Sequence, residues 1–457
     1  MLKIFGRDKT EHPLADIKEA RRILAELPAD DPPFCLEEVA HWVTSVAEER
    51  GFKPEYQAQL LELLDDSGRA YAQRIGREYL QAHRQPKQRE MRLWQVLNEF
   101  WRALALAYTA VAEKAAAAGA KSMLPGMAAR AFRALGAQLK WNCTRYGVPD
   151  SSLWETATRV HRAVAQPQIA QIVVSVPGTP AETTVERELA RLLMFAVCSP
   201  HSLTPVDIDL CERLVGHFSA RFKLAGSPSA ETPYWMDLGA AAQPHRGPLP
   251  THTLGPLCFF GAGPAYDALR IFKADMSAAG VLPSGMDLGG TYEFRQVIGV
   301  LNHLEAHWAP RLPERRHARQ TAKSRLTVAR GFDGVLDVLQ PTASMAFSHE
   351  ETESWVVQNV STGGFGADIP QITGDWLRVG SLIAMQTEGS VQWSVGVVRR
   401  LNRVGALQAS VGIQTLTRAA LPVKIRIIST QLSGVDREAA VLLPALRSSD
   451  ELKLILR

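Results

Sequence analysis

Residues 355–367 read WVVQNVSTGGFGA, and this stretch decides how the C-terminal part of the chain is interpreted. It begins with residues typical of a strand and continues into Asn, Val, Ser, Thr and two adjacent glycines, with a further glycine at Gly366. A tight hairpin needs only one glycine or a short polar pair. The stretch therefore carries more polar and glycine residues than a turn requires, which indicates a role beyond reversing the chain.

The sequence around this stretch is typical of short antiparallel strands. Residues 391–399 (VQWSVGVVR) and 407–415 (LQASVGIQT) alternate apolar and polar or small residues with the period of a strand. Residues 324–339 also have strand-like composition, and residues 423–429, 438–446 and 452–457 are three more strand candidates. Close spacing and glycine-containing turns predict a small antiparallel barrel with a β extension after it. The apolar face of the first stretch carries Val391, Trp393, Val395 and Val397, and that of the second carries Leu407, Ala409, Val411 and Ile413.

The N-terminal part differs, because residues 14–160 show apolar residues at helical spacing. Residues 161–311 are mixed and mainly helical, and prolines end the last helix near residue 310. We predict a multidomain α+β fold made of a helical domain (1–160), a mixed segment (161–311), a β-barrel (312–420) and a β extension (421–457). Four tryptophans are expected to anchor the helical core rather than a ligand site. They are Trp94, Trp101, Trp141 and Trp154.

Composition limits the class of protein. The 457 residues are too many for one core, and 46% hydrophobic with 21% charged residues is ordinary for a globular chain. No apolar run of membrane-spanning length appears, and the N-terminus lacks the apolar region of a secretory signal. Five scattered cysteines suggest neither a metal knuckle nor a redox pair. A cytoplasmic location is the expectation.

Positive charge is concentrated just before the predicted barrel. Residues 311–330 hold seven Lys or Arg against one Glu, although the whole chain has a net charge of only +4. The remainder of the chain is therefore net acidic. A basic cluster of this kind is either a solvated linker or an anion site.

The basic cluster and the 355–367 stretch together resemble the PilZ domain, the cyclic di-GMP receptor module of bacteria. That family carries R-x-x-x-R just before its barrel and [D/N]-x-S-x-x-G on a barrel strand. Residues 315–319 (RRHAR) match the first motif, and residues 359–364 (NVSTGG) match the second. The resemblance covers roughly residues 312–420, and the N-terminal region resembles no family recognised from its sequence.

The resemblance implies a binding role for particular residues. Arg315 and Arg319 would hold phosphates and stack on guanine, which suits the planar, bidentate guanidinium group. Asn359 and Ser361 would contact the guanine edge, and Gly364 would shape the strand beside it. The complete set of implied ligand residues is Arg315, Arg316, Arg319, Asn359, Ser361, Gly363 and Gly364.

Two features depart from the family pattern. Forty positions separate Arg319 from Asn359, which is longer than usual, and residues 340–353 are the expected insertion. The strands after residue 422 are not needed by the usual domain and would form an extension or an extra layer.

These observations predict a cytoplasmic effector that binds cyclic di-GMP through its barrel. The N-terminal helical part would pass the signal to an unidentified protein partner, with no nucleic acid polymer and no membrane span involved. Ordering of the arginine segment on binding would act as the switch. Because no nucleophile, phosphate-loop or dinucleotide motif appears, we expect no enzyme activity and no cofactor.

Two alternatives remain open from the sequence. One is a ligand-independent scaffold with a degenerate barrel, and the other is an enzyme whose active site lies in residues 165–310. His303 and His307 stand four apart on a helix, which suits a metal, although the sequence suggests no third ligand. No metal site is therefore predicted.

Overall fold

The computed structural model describes residues 12–81, 86–164, 166–178, 181–283, 288–311, 318–340, 352–405, 407–426, 437–444 and 453–456. The chain divides into two compact units. The first comprises residues 1–144, 149–200 and 205–313, and the second comprises residues 145–148, 201–204 and 314–457. Among the described residues, no helix is long and apolar enough to cross a membrane.

The first unit is mainly helical, as the apolar spacing of residues 14–160 predicts. Apolar stripes at helical spacing bury one face of each helix, and acidic or hydroxyl side chains cap several N-termini, as Thr184 does by accepting from the Arg187 N–H. Its helices are α1 Ile17–Ala25, α2 Pro32–Glu48, α3 Pro54–Leu80, α4 Lys87–Ala117, α5 Leu124–Thr144, α6 Ser151–Ala163, α7 Pro167–Ala170, α8 Val185–Val197, α9 Pro205–Phe218, α10 Pro264–Ala279 and α11 Phe294–Trp308.

Two small antiparallel sheets complete this unit. The first pairs β1 (Val174–Ser175) with β2 (Glu182–Thr183). The second has the order β3-β6-β4-β5, with bounds β3 Lys223–Ala225, β4 Tyr234–Asp237, β5 His245–Arg246 and β6 Leu257–Gly261. These strands make the segment after residue 161 mixed rather than purely helical, as expected.

The tryptophans pack as structural anchors. Trp101, Trp141 and Trp154 are buried in the helical core. Trp94 is half-buried, and its indole Nε1 donates to the Trp141 carbonyl over 2.6 Å. Their burial accounts for them without a ligand, because large aromatic side chains contribute most of the apolar area in such a core.

The second unit is built on a closed six-stranded antiparallel barrel, as predicted. Its strands follow the order β10-β11-β12-β9-β8-β7, and pairing of β10 with β7 closes it. The bounds are β7 Gln320–Arg330, β8 Thr352–Ser361, β9 Gly364–Ile369, β10 Leu382–Thr387, β11 Ser394–Arg403 and β12 Ala409–Thr417. Closure leaves no unpaired sheet edge.

The barrel interior is filled by the inward-facing residues of every strand. Trp355 is fully buried at its centre and stacks on Trp376 with ring centroids 6.1 Å apart. Tyr146, from the short segment that belongs to this unit, also packs into this core, and its hydroxyl accepts from the Val379 N–H over 3.2 Å. Ala409, Val411 and Ile413 are buried as predicted, whereas Leu407 precedes β12 and is exposed.

The strand predicted for residues 391–399 begins later than its pattern suggested, because β11 starts at Ser394 and Val391 is exposed. From Ser394 to Val398 the alternation is kept. Val395 and Val397 pair with Ala384 and Leu382 of β10, and Val395 is buried in a second cluster outside the barrel core. Val398 lies on the opposite face and packs in the barrel core, so the apolar face of this stretch is a covered outer face of the barrel.

Residues 324–339 are likewise only partly a strand. β7 ends at Arg330, where Gly331 adopts a φ of 72°, and helix α12 (Gly331–Leu339) follows. Phe332, Val335 and Leu336 recur at helical spacing and pack in one cluster, which explains why valine-rich composition misled the strand prediction.

The β extension forms an extra layer, as the sequence suggested. Strands β13 (Leu421–Arg426), β14 (Arg437–Leu443) and β15 (Lys453–Ile455) make a three-stranded sheet. Val441 and Leu443 of this sheet share a buried cluster with Val335 of α12 and Ala384 of β10. This cluster therefore covers the side of the barrel around β10.

Candidate functional site

Strand pairing places Arg319 next to the 359–364 motif. β7 runs antiparallel to β8, with Gln320 opposite Val360 and Thr321 opposite Asn359. Arg319 is exposed and directly precedes β7, so its backbone lies about 7 Å along the strand from the Asn359 level. Arg319 and Asn359, forty positions apart in sequence, thus lie close together at one end of the barrel. Arg315 and Arg316 lie outside the described residues.

A β-bulge turns the polar residues of the motif outward. Val357 pairs with Ala367, and both are buried in the barrel core. The register then shifts, so that Asn359 rather than Gln358 stands opposite Gly366. Because paired residues share a face, Asn359 and Ser361 point away from the core. Without the bulge, simple alternation would place both with Val357 inside the barrel.

Asn359 lies over a glycine. A Cβ on Gly366 would stand 2.7 Å from Asn359 Oδ1 and 2.8 Å from Nδ2, so the amide would have to move away from β9. Gly366 therefore makes room for the Asn359 amide to lie flat on β9. Its amide offers both a donor and an acceptor on the outer face of the barrel.

The other motif residues shape the connection between β8 and β9. Ser361 pairs with Gly364, and its hydroxyl donates to the Gly364 carbonyl over 3.3 Å. The Gly363 carbonyl accepts from the Thr415 N–H over 3.0 Å. A Cβ on Gly364 would lie 1.9 Å from the Ile413 carbonyl oxygen, so the clearance at Gly364 is used by β12.

Arg399 and Arg400 lie outside this arrangement, although both are exposed on the outer surface of the barrel. A bulge in β11 between Val398 and Arg400 turns both side chains outward. In the closed order β10-β11-β12-β9-β8-β7, β11 and β8 are three strands apart in either direction and therefore lie on opposite sides of the barrel.

This arrangement suits an anionic ligand with a flat, hydrogen-bonding ring. Guanidinium groups bind phosphate oxygens in pairs and stack on aromatic rings. A carboxamide and a hydroxyl nearby can read a base edge. Arg319, Asn359 and Ser361 supply these groups within one end of the barrel.

The two helical histidines do not form a comparable site. His303 Nε2 donates to the Cys198 carbonyl over 2.5 Å, and His307 Nδ1 lies 2.8 Å from the His303 carbonyl. Glu305 pairs with Lys273 instead of joining them. Across the described ranges, no three His, Cys, Asp or Glu side chains come together as metal ligands. Both rings are therefore explained by packing and backbone hydrogen bonds.

Burial of His303 predicts a pH-dependent stability. Burial, and then the neighbouring His307, lowers the pKa of His303 to about 4, against about 6.5 in an unfolded chain. A depressed pKa contributes stability above pH 6.5 that is lost as the pH falls towards 4. We expect denaturant midpoints to fall from pH 7 to pH 5, and to fall less in His303→Gln.

The exposed His41 provides the control for this prediction. His41→Gln should leave the pH dependence of the wild type unchanged. Burial also lowers the pKa of His161, so His303→Gln should remove only part of the dependence. Equal slopes in His303→Gln and the wild type would contradict the assignment.

Comparisons with known families agree with the geometry of both units. Residues 18–229 match the family model described as "Cyclic-di-GMP receptor FimW, N-terminal domain". Residues 340–422 match the one described as "Cyclic-di-GMP receptor FimW, middle PilZ domain". The chain matches none of the curated proteins.

These matches extend the sequence interpretation in one respect and confirm it in another. The PilZ-like barrel is confirmed, and the N-terminal region, for which the sequence suggested no family, is similar to a second domain of the same receptor. The matched barrel residues begin at residue 340, so β7 and the arginine segment lie outside them.

Proposed function

We propose that this protein is a receptor for cyclic di-GMP in which the barrel binds the dinucleotide. Arg315, Arg316 and Arg319 would hold its phosphates and stack on one guanine. Asn359 and Ser361 would read the guanine edge, and Gly363 with Gly364 would form the connection beside it.

One observation carries this proposal: the register that sets Thr321 opposite Asn359 and therefore brings Arg319 to the polar motif. If the basic segment before β7 were only a solvated linker and the 359–364 motif only a hairpin turn, nothing would require the two to lie close together. The similarity of residues 18–229 and 340–422 to two domains of one cyclic di-GMP receptor supports the same ligand.

In this proposal, the remaining parts of the chain either pass on the signal or support the barrel. The helical and mixed segments, residues 1–160 and 161–311, would contact a protein partner, and residues 421–457 would brace the barrel. The arginine segment joins α11 to β7, so a ligand held there acts on the connection between helical chain and barrel. The protein would act by binding rather than by catalysis.

We also propose a cytoplasmic location. All five cysteines are free thiols, and all are buried. Free thiols are typical of reducing compartments. A pull-down from a bacterial lysate with residues 1–311 as bait would search for the partner.

Isothermal titration of the full chain tests the ligand. We expect saturable binding of cyclic di-GMP and at least tenfold weaker binding of cyclic di-AMP. Adenine places an amino donor where guanine has its O6 acceptor, and a site built for one edge leaves groups unpaired with the other. Equal affinity for both would contradict base reading by Asn359. No binding of either would favour a ligand-independent scaffold.

A further inference from the structure

Strand β7 carries a row of exposed residues directly beside the polar motif. Thr321, Lys323 and Arg325 are exposed, and the residues between them are half-buried. Ala322 packs against the barrel core, so the three exposed side chains share the outer face of the strand. Thr321 pairs with Asn359, which also points outward. Because β7 and β8 are adjacent in the sheet, this row and the motif lie on the same face of the barrel.

An irregularity in the pairing of β7 decides where the Lys323 side chain stands. In a regular ladder that sets Thr321 opposite Asn359, Lys323 would stand opposite Val357, which is buried in the barrel core. β7 instead has one more residue than β8 between these two levels, so Ser324 takes the place opposite Val357. Lys323 is therefore turned to the outer surface. Bulges are frequent next to functional sites, where they redirect a side chain.

Lys323 and Arg319 stand on the two sides of the Asn359 level. Each is two residues from Thr321 along the chain, which is about 7 Å in a strand. Neighbouring strands are about 5 Å apart, so Lys323 lies diagonally across from Asn359. A lysine side chain has a long, flexible stem that can extend over Thr321. The Lys323 ammonium can therefore reach a group that lies over the Asn359 amide.

The charges around Lys323 leave it available to an anion. Lys323 is exposed, and within the described part of the chain its side chain forms no ion pair. Asp368, on the outer face of β9, accepts from Gln358 Nε2 over 2.8 Å. Glu388 is held at Arg325, because its carboxylate accepts from the Arg325 N–H over 3.2 Å and its own N–H donates to the Arg325 carbonyl over 3.1 Å. An anion on this face therefore meets positive charge at Lys323.

We propose that Lys323 binds a phosphate of the dinucleotide and that the ligand lies across the outer face of β7 and β8. This inference rests on the proposed function and deepens it, because it adds a phosphate-binding residue that neither sequence motif includes. A cyclic dinucleotide carries two phosphodiester groups. Arg319 would hold one and Lys323 the other, while Asn359 reads a guanine edge. A lysine ammonium suits this role, since it offers three donors and binds phosphate as a point charge.

Lys323→Ala tests this contact by isothermal titration of the full chain. Losing one charge-assisted hydrogen bond should raise the Kd for cyclic di-GMP at least tenfold, and the salt dependence of binding should become shallower. Lys323→Gln keeps most of the stem without the charge and should give the same result if Lys323→Ala does not fold. Lys323→Arg keeps the charge and should bind within about threefold of the wild type. Circular dichroism checks that each variant is folded.

Arg325→Ala is the matched control, because Arg325 is an exposed cation on the same face of the same strand. Its guanidinium donates to Ser354 Oγ over 3.3 Å, and its backbone lies about 14 Å along β7 from the Asn359 level. An exposed charge at that distance is largely screened, so Arg325→Ala should change the Kd less than about twofold. Equal Kd values for Lys323→Ala and Arg325→Ala would overturn the proposal.

Failure of this inference and failure of the proposed function give different results. If the wild type does not bind cyclic di-GMP, the proposed function fails and the assignment of Lys323 fails with it. If the wild type binds, Asn359→Ala weakens binding, and Lys323→Ala behaves like Arg325→Ala, only the assignment of Lys323 fails.

Discussion

Replacing both Arg315 and Arg319 with alanine is expected to remove binding of cyclic di-GMP at micromolar protein concentrations. Each arginine would make at least one hydrogen bond to a charged phosphate, worth about 1.5–3 kcal/mol. Loss of two such contacts costs about 3–6 kcal/mol, which weakens binding by about two to four orders of magnitude. Arg319 directly precedes β7 and stands at the level of the motif on β8, so its loss removes a positive charge beside the motif.

The control for this effect is Arg330→Ala. Arg330 is exposed at the opposite end of the same strand, where it pairs with Ile383, and it lies roughly 35 Å along β7 from Arg319. Titration of the wild type, the double variant and the control with cyclic di-GMP makes the comparison, with circular dichroism to show that each is folded. A double variant that binds like the control would refute the role of the arginine segment.

Replacing Asp65 with alanine is expected to lower the free energy of unfolding of the helical unit by about 3–5 kcal/mol. The Asp65 side chain is fully buried on α3. Its Oδ2 accepts from Tyr108 on α4 over 3.0 Å and from Arg130 on α5 over 2.9 Å. Arg69, one turn further along α3, donates to the same oxygen over 3.1 Å. Removing the carboxylate leaves two largely buried guanidinium groups without their nearest counter-charge, and only the more exposed Glu62 and Asp66, each 3.7 Å away, still pair with Arg130.

An exposed carboxylate provides the matched control. Glu99 pairs with Arg102 one turn along α4, and about half of each side chain is exposed. Exposed pairs contribute about 1 kcal/mol or less, so Glu99→Ala should change the unfolding free energy little. Urea unfolding followed by circular dichroism measures both. If the unfolding free energy decreased by the same small amount in both variants, the hydrogen bonds and ion pairs of Asp65 would not be a main support of the helical packing.

Helices and barrel strands were largely predictable because their local patterns agree with the final packing. Apolar residues at helical spacing over residues 14–160 marked helices that the structure confirms. The alternation of Ala409, Val411 and Ile413 likewise predicted the inner face of β12. Prediction failed where the chain departs from regular pairing. The bulge in β11 after Val398 turns both Arg399 and Arg400 to the surface, and the positive φ of Gly331 ended a strand that valines suggested would continue.

The candidate site was predictable in part for the same reason. Residue types with the right chemistry stand at recognisable spacings, so Arg319, Asn359 and Ser361 could be named from the sequence. That Arg319 lies beside Asn359 could not be predicted, because it depends on which strands are neighbours. β7 pairs with β8 in the closed barrel, and only the tertiary structure decides this order.

The sequence by itself determined the helical character of the N-terminal part, the antiparallel barrel after it and the two motifs that point to an anionic, base-bearing ligand. Local propensity, periodicity and residue chemistry are enough for these, because each acts over a few neighbouring residues. Only the tertiary structure decided that Asn359 and Ser361 point outward, since a single bulge after Val357 reverses the faces of the strand. It also decided that the clearance at Gly364 is used by β12, because clearance at a glycine depends on what the distant chain places beside it.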